Sequence, residues 1–160
     1  MQTSERIQMP TRLRLPDTRT GVNHQVQIGE KIMILRLNDH PYTNGPGEIF
    51  IEVDKEGSTV GGLLNIIGTL LSILFQIKDL DLAPILEKLR RSRFEPAGFA
   101  KFEDDEEAAD LDRIRNCHSL VDYIAAYIQR RYNLGQESTN NESVQTDLPV
   151  LQSADVTDVR

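Results

Sequence analysis

The chain has 160 residues, of which 39% are hydrophobic and 27% charged, with a net charge of −7. That length gives room for one domain with a real core. An acidic surface repels phosphate backbones, which excludes general coating of DNA or RNA but leaves a local basic patch free to hold one small anion.

A single cysteine, Cys117, excludes an intrachain disulfide, and nothing points to an oxidising compartment. The N-terminus, MQTSERIQMPTRLRLPD, has charges but no apolar stretch of signal-peptide length, so a cytoplasmic location is expected. Residues 60–77, VGGLLNIIGTLLSILFQI, are long enough to raise the question of a membrane span. Asn65, Thr69 and Ser72 interrupt the run, and Lys55 and Lys78 lie near both ends without a strong asymmetry. A buried core helix is the expectation.

In chain order, residues 1–20 are polar, contain Pro10 and Pro16, and read as a flexible arm. The folded domain is expected over 21–134. VNHQVQIG alternates Val22, His24, Val26 and Ile28 on one face, the period of a strand. Gly29-Glu30 suits a tight turn, and KIMILRLND reads as the returning strand. After the turn-rich loop HPYTNGPG, EIFIEVDK places Ile49, Ile51 and Val53 inward and Glu48, Glu52 and Asp54 outward. The pattern is a three-stranded antiparallel meander.

Helices follow. From Thr59 onward Val60, Leu63, Leu64, Ile67, Leu70, Leu71, Leu74 and Phe75 fit a helical stripe. A second stripe is unusually small: Gly61, Asn65, Gly68 and Ser72. Glycine costs a helix about 1 kcal/mol relative to alanine, so these residues predict close approach of a backbone, a ligand or a second copy of the helix. DLAPILEKLRRSR predicts another helix, with Pro84 in its first turn. DDEEAADLDR reads as an acidic loop or short helical insert. SLVDYIAAYIQRRY predicts a last helix with Leu120, Val121, Ile124, Tyr127 and Ile128 on one side and Arg130 and Arg131 complementing its dipole. The tail 135–160, rich in Ser, Thr, Asn and acids, is expected to be disordered. The fold class is α+β: the meander, then about three helices packed on one face.

Two stretches are candidates for chemistry. The first, VDKEGSTVGG, puts Lys55, Gly57, Ser58 and Thr59 at a helix start. Lys55 precedes Gly57, so the order is wrong for a Walker loop. Ser58 or Thr59 can cap the helix, or the free N–H groups beside Lys55 can hold a phosphate or carboxylate. In the second, RRSRFEPAGF, an arginine fork of Arg90, Arg91 and Arg93 can hold a phosphate while Phe94 stacks on a base. Alternatively the arginines finish a helix and pair with Glu95 or the acidic loop. The anion or nucleotide site expected from both stretches comprises Lys55, Gly57, Ser58, Thr59, Arg91, Arg93 and Phe94. Cys117-His118 with His24 and His40 match no recognised zinc spacing, so no metal site is expected. No catalytic constellation stands out.

Four ordered blocks, LPDTRTGVNHQVQIG, PGEIFIEVDKEGSTVGGLL, RFEPAGF and HSLVDYIAAYI, resemble the C-terminal region of adenosylcobalamin-dependent (class II) ribonucleotide reductases. The resemblance spans roughly residues 13–133. Its middle resembles the small domain named after a Thr-Ser-Cys-Pro-Asp motif, found appended to such reductases and also standing alone. It implies a part in deoxyribonucleotide synthesis. It also implies catalytic cysteines, a reducing cysteine pair and a large barrel, none of which these 160 residues supply. His24 stands near where the first naming cysteine would be expected. The resulting expectation is a stand-alone domain that assists a reductase catalytic chain as subunit or regulatory partner, with no cofactor of its own and adenosylcobalamin only through that partner. A free nucleotide-binding module that senses or sequesters a phosphorylated ligand is the alternative, a homo-oligomer is possible for either, and neither a membrane nor DNA is an expected partner.

Overall fold

Alternation of apolar and polar residues builds the first half of the chain. The computed structural model describes residues 10–53, 57–102 and 114–135. Strands β1 (Gly21–Ile28), β2 (Lys31–Asp39) and β3 (Pro46–Val53) form the antiparallel meander. Its register sets Val26 opposite Met33, His24 opposite Leu35, Leu35 opposite Ile51 and Leu37 opposite Ile49. All of these are buried, so one face of the sheet is continuous core. Gly29 takes φ 59° in the turn between β1 and β2, a conformation that glycine adopts without strain.

Two short strands extend this meander. β4 (Gly98–Lys101) pairs with β1, and β5 (Asn116–Cys117) pairs with β4, giving the order β3-β2-β1-β4-β5. Neither has a sequence signature. β4 buries only Ala100 and leaves Phe99 exposed, so no alternating run of useful length exists.

Helices α1 (Thr59–Phe75), α2 (Ala83–Leu89) and α3 (Leu120–Tyr132) complete the α+β fold. Every residue of α3 from Leu120 to Ile128 is buried, including Asp122. Tyr127 stacks on His24 of β1 at 4.3 Å between ring centroids, and Tyr123 Oη lies 2.7 Å from His24 Nε2. Of the arm expected over 1–20, residues 10–20 are described. Leu13 N–H donates to Gln76 O, and Lys78 N–H donates to Thr11 O, beside the end of α1. The acidic stretch 104–113 and residues 136–160 lie outside the described residues.

Helix α1 is rotated relative to the stripe read from the sequence. Its buried residues are Leu64, Gly68, Leu71 and Phe75, whereas Leu63 and Leu70 face outward. Of the small stripe, Gly61, Gly68 and Ser72 meet the sheet, whereas Asn65 is exposed. A Cβ on Gly68 would lie 3.3 Å from Ile49 O, and one on Gly61 would lie 3.1 Å from Val53 O. Ser72 Oγ accepts the Ile49 N–H at 2.9 Å and shares its one hydrogen between Gly68 O at 2.8 Å and Ile49 O at 3.2 Å. A side chain thus satisfies backbone groups on the outer edge of β3.

Among the described residues no helix is long and apolar enough to cross a membrane. Gly68→Leu forces a side chain against the β3 backbone and is expected to cost about 1–3 kcal/mol, measured by urea unfolding. Unchanged stability would mean that the helix does not sit this close to the strand.

Candidate functional site

The last turn of α2 is tied to the first turn of α3 by one buried carboxylate. Ser119 is the N-cap of α3, its hydroxyl accepting the Asp122 N–H at 2.9 Å. Asp122 Oδ2 accepts the His118 N–H at 2.8 Å, and its Oδ1 accepts from Arg90 Nε at 3.0 Å. Arg90 also reaches Gln129 Oε1 at 3.4 Å. The Ser92 and Ser119 hydroxyls lie 2.7 Å apart and strengthen the same junction. Asp122 is almost fully buried, and Arg90 supplies the opposite charge that such burial requires.

This junction opens a cleft of about 500 Å³ lined by Glu87, Arg90, Arg91, Arg93, Asn116, His118 and Asp122. Its three arginines differ. Arg90 is engaged by Asp122. Arg91 meets Glu87 at 3.7 Å with both side chains largely exposed, a pair of small energetic weight. Arg93 is exposed and has no side-chain ion pair or hydrogen bond among the described residues. Phe94 is 47% exposed, and its N–H donates to His118 O at 3.1 Å, which holds the 93–94 segment beside His118. Glu95, expected as an arginine partner, instead accepts the Ala97 N–H at 3.1 Å.

Among the described residues, the start of α1 contributes nothing to this cleft. Ser58 Oγ accepts the Gly61 N–H at 3.0 Å, so its hydroxyl is the N-cap. Gly57 has φ 86°, Thr59 is exposed, and Lys55 lies outside the described residues. Arg91 and Arg93 are brought together with His118 and Asn116, not with Ser58 and Thr59. Asn116 and His118 were not among the expected ligands. The readable signal was SLVD, where Ser119 and Asp122 have the spacing of a helix start and therefore fix the residues just before it.

Cys117 is buried, and its Sγ donates to Gly98 O at 3.1 Å. Burial, and then the charge of Asp122, push its thiol pKa up, so the thiol stays protonated near neutrality. The three histidines are dispersed. His24 is stacked in the core, and His118 is exposed at the cleft. His40 lines a second cleft of about 710 Å³ with Tyr42, Phe75, Ile77, Tyr132 and Leu134 among others. Burial lowers the His40 pKa; its Nδ1 accepts the Tyr42 N–H at 3.3 Å. Tyr132 Oη donates to Asp39 Oδ1 at 2.7 Å, and burial together with that carboxylate pushes the phenol pKa well up. Among the described residues no three His, Cys, Asp or Glu side chains converge as metal ligands. Both clefts have the volume of a small-ligand site.

The fold and this geometry define an α+β domain with an arginine-lined cleft and a buried thiol. The chain belongs to the TSCPD domain family, whose sequence pattern matches residues 7–132. It is similar to a vitamin B12-dependent ribonucleotide reductase of Rhodopirellula baltica, 37% identical over 86% of this chain and 12% of that protein. A protein of the same description from Streptantibioticus cattleyicolor is 32% identical over 72% of this chain and 17% of its own length. One from Agrobacterium fabrum is 29% identical over 71% of this chain and 8% of its own length. The chain therefore spans under a fifth of these relatives. No solved structure matches it.

The state of Cys117 is measurable. Its reaction with a disulfide reagent at pH 8 is expected to be at least about tenfold slower in the native protein than in the unfolded chain. Equal rates would contradict the buried, protonated thiol.

Proposed function

We propose that this chain assists ribonucleotide reduction as a subunit or accessory partner of an adenosylcobalamin-dependent reductase. The observation that supports this reading most is the similarity to a vitamin B12-dependent reductase across 86% of the chain, together with a single thiol buried against Gly98. Thiol-based reduction of a ribose needs a reactive cysteine and a cysteine pair as reductant, as the resemblance implies. One protonated, enclosed Cys117 provides neither. The cobalamin and the redox chemistry belong to the partner in this proposal, and this chain contributes binding.

Affinity capture from the source cell with the tagged chain is expected to recover a vitamin B12-dependent reductase. Adding the purified chain is expected to change that enzyme's turnover. Capture of no reductase, with turnover unaltered, would remove the proposal.

A second reading is favoured by one specific arrangement, Arg91 and Arg93 sharing a cleft with His118 and Asn116. Two guanidinium groups facing one exposed carboxylate, Glu87, beside an imidazole and an amide, match a phosphorylated ligand, and the exposed Phe94 offers a face for a base. In this reading the chain is a nucleotide-binding module, acting freely or as the sensor of a reductase. Calorimetry with nucleoside di- and triphosphates is expected to show binding that Arg93→Ala weakens roughly tenfold, the scale of one charge-assisted hydrogen bond. Ser58→Ala should leave it unchanged. No heat with any nucleotide, or binding indifferent to Arg93, would count against the cleft.

A further inference from the structure

Helix α1 is apolar on both sides. The inner side, with Gly61, Leu64, Gly68, Leu71 and Phe75, is used against the sheet. On the opposite side Leu63, Ile66, Leu70 and Ile73 are 57%, 58%, 56% and 40% exposed. No charged residue occurs anywhere between Thr59 and Phe75. A helix that is hydrophobic all round is normally covered on all sides. Among the described residues, this one is covered on one side.

The spacing of the outer residues fits a facing helix. Steps of three, four and three are those of a coiled-coil seam, which accepts another helix by interdigitation. The same spacing read backwards is identical. Antiparallel pairing about a twofold axis therefore sets Leu63 against Ile73 of a second copy and Ile66 against Leu70. Each contact occurs twice, as an isologous interface requires. Gly62 lies beside this row with open space where a Cβ would be, which leaves room for the facing helix. The absence of charge matters too: each copy has a net charge of −7, and a neutral face is where two such molecules meet with least repulsion.

We propose that α1 is a self-association surface, through which two copies of this chain pair antiparallel along Leu63, Ile66, Leu70 and Ile73. A 17-residue helix is about 25 Å long and about 10 Å across. Such a face supplies only part of the roughly 800 Å² per partner of a standard interface, which suits a reversible dimer and not an obligate one.

Sedimentation velocity of the full chain between about 2 and 200 µM, a range that brackets micromolar affinity, tests this. The mean mass is expected to rise with concentration from 18.1 kDa toward twice that value. Ile66→Glu should remain monomeric throughout. Its thermal unfolding should match that of the unmodified protein at the lowest concentration, because the side chain is exposed. Phe99→Glu, which removes an exposed aromatic on β4, should leave the dimer intact. A monomer at the highest concentration would overturn the proposal and leave the face to a different protein. A dimer that Ile66→Glu does not dissociate would overturn it equally.

Discussion

The arrangement of this molecule depends on how closely α1 can approach the backbone of β3. Ser72 Oγ bonds to both Ile49 N–H and Ile49 O, while a Cβ at Gly61 or Gly68 would crowd the backbone of β3 at Val53 O or Ile49 O. An edge strand with unsatisfied donors and acceptors invites pairing with other chains. Here a hydroxyl on a helix answers part of that edge. The constraint also sets the rotation of α1. Once its small residues face the strand, its long aliphatic row must face away from the sheet. A feature of packing thus determines what the surface offers to a partner.

Helix rotation was the part of the fold that the sequence could not convey. Strand faces were legible in Val26, Ile28, Leu35, Leu37, Ile49 and Ile51, because one side of the sheet is core and the other is polar. In α1 both sides are apolar, so periodicity gives a helix but no phase. Size carried the phase instead: Gly61, Gly68 and Ser72 marked the close approach, and the larger stripe misled through Leu63 and Leu70. β4 and β5 were invisible because a four-residue and a two-residue strand contain no repeating pattern.

The candidate site shows the same limit in another form. Arg91 and Arg93 were legible as a local cluster. Their companions Asn116 and His118 arrive through the Arg90–Asp122 contact, which joins residues 32 positions apart. Ser58 was legible as either cap or anion ligand, and its bond to Gly61 N–H makes it a cap. The single cysteine behaves as a small core residue with a hydrogen bond to Gly98 O. Membership of the TSCPD domain family and similarity to vitamin B12-dependent reductases are the setting in which the proposed function is to be tested.

Native-state amide hydrogen exchange at Ile49 probes the governing contact directly, because that N–H points at the edge of the sheet and its acceptor is a side chain. The account predicts that the Ile49 amide is protected like its neighbours in the core and exchanges faster in Ser72→Ala. An Ile49 amide that exchanges in the unmodified protein as freely as an open edge would contradict it, and with it the orientation assigned to the outer face of α1.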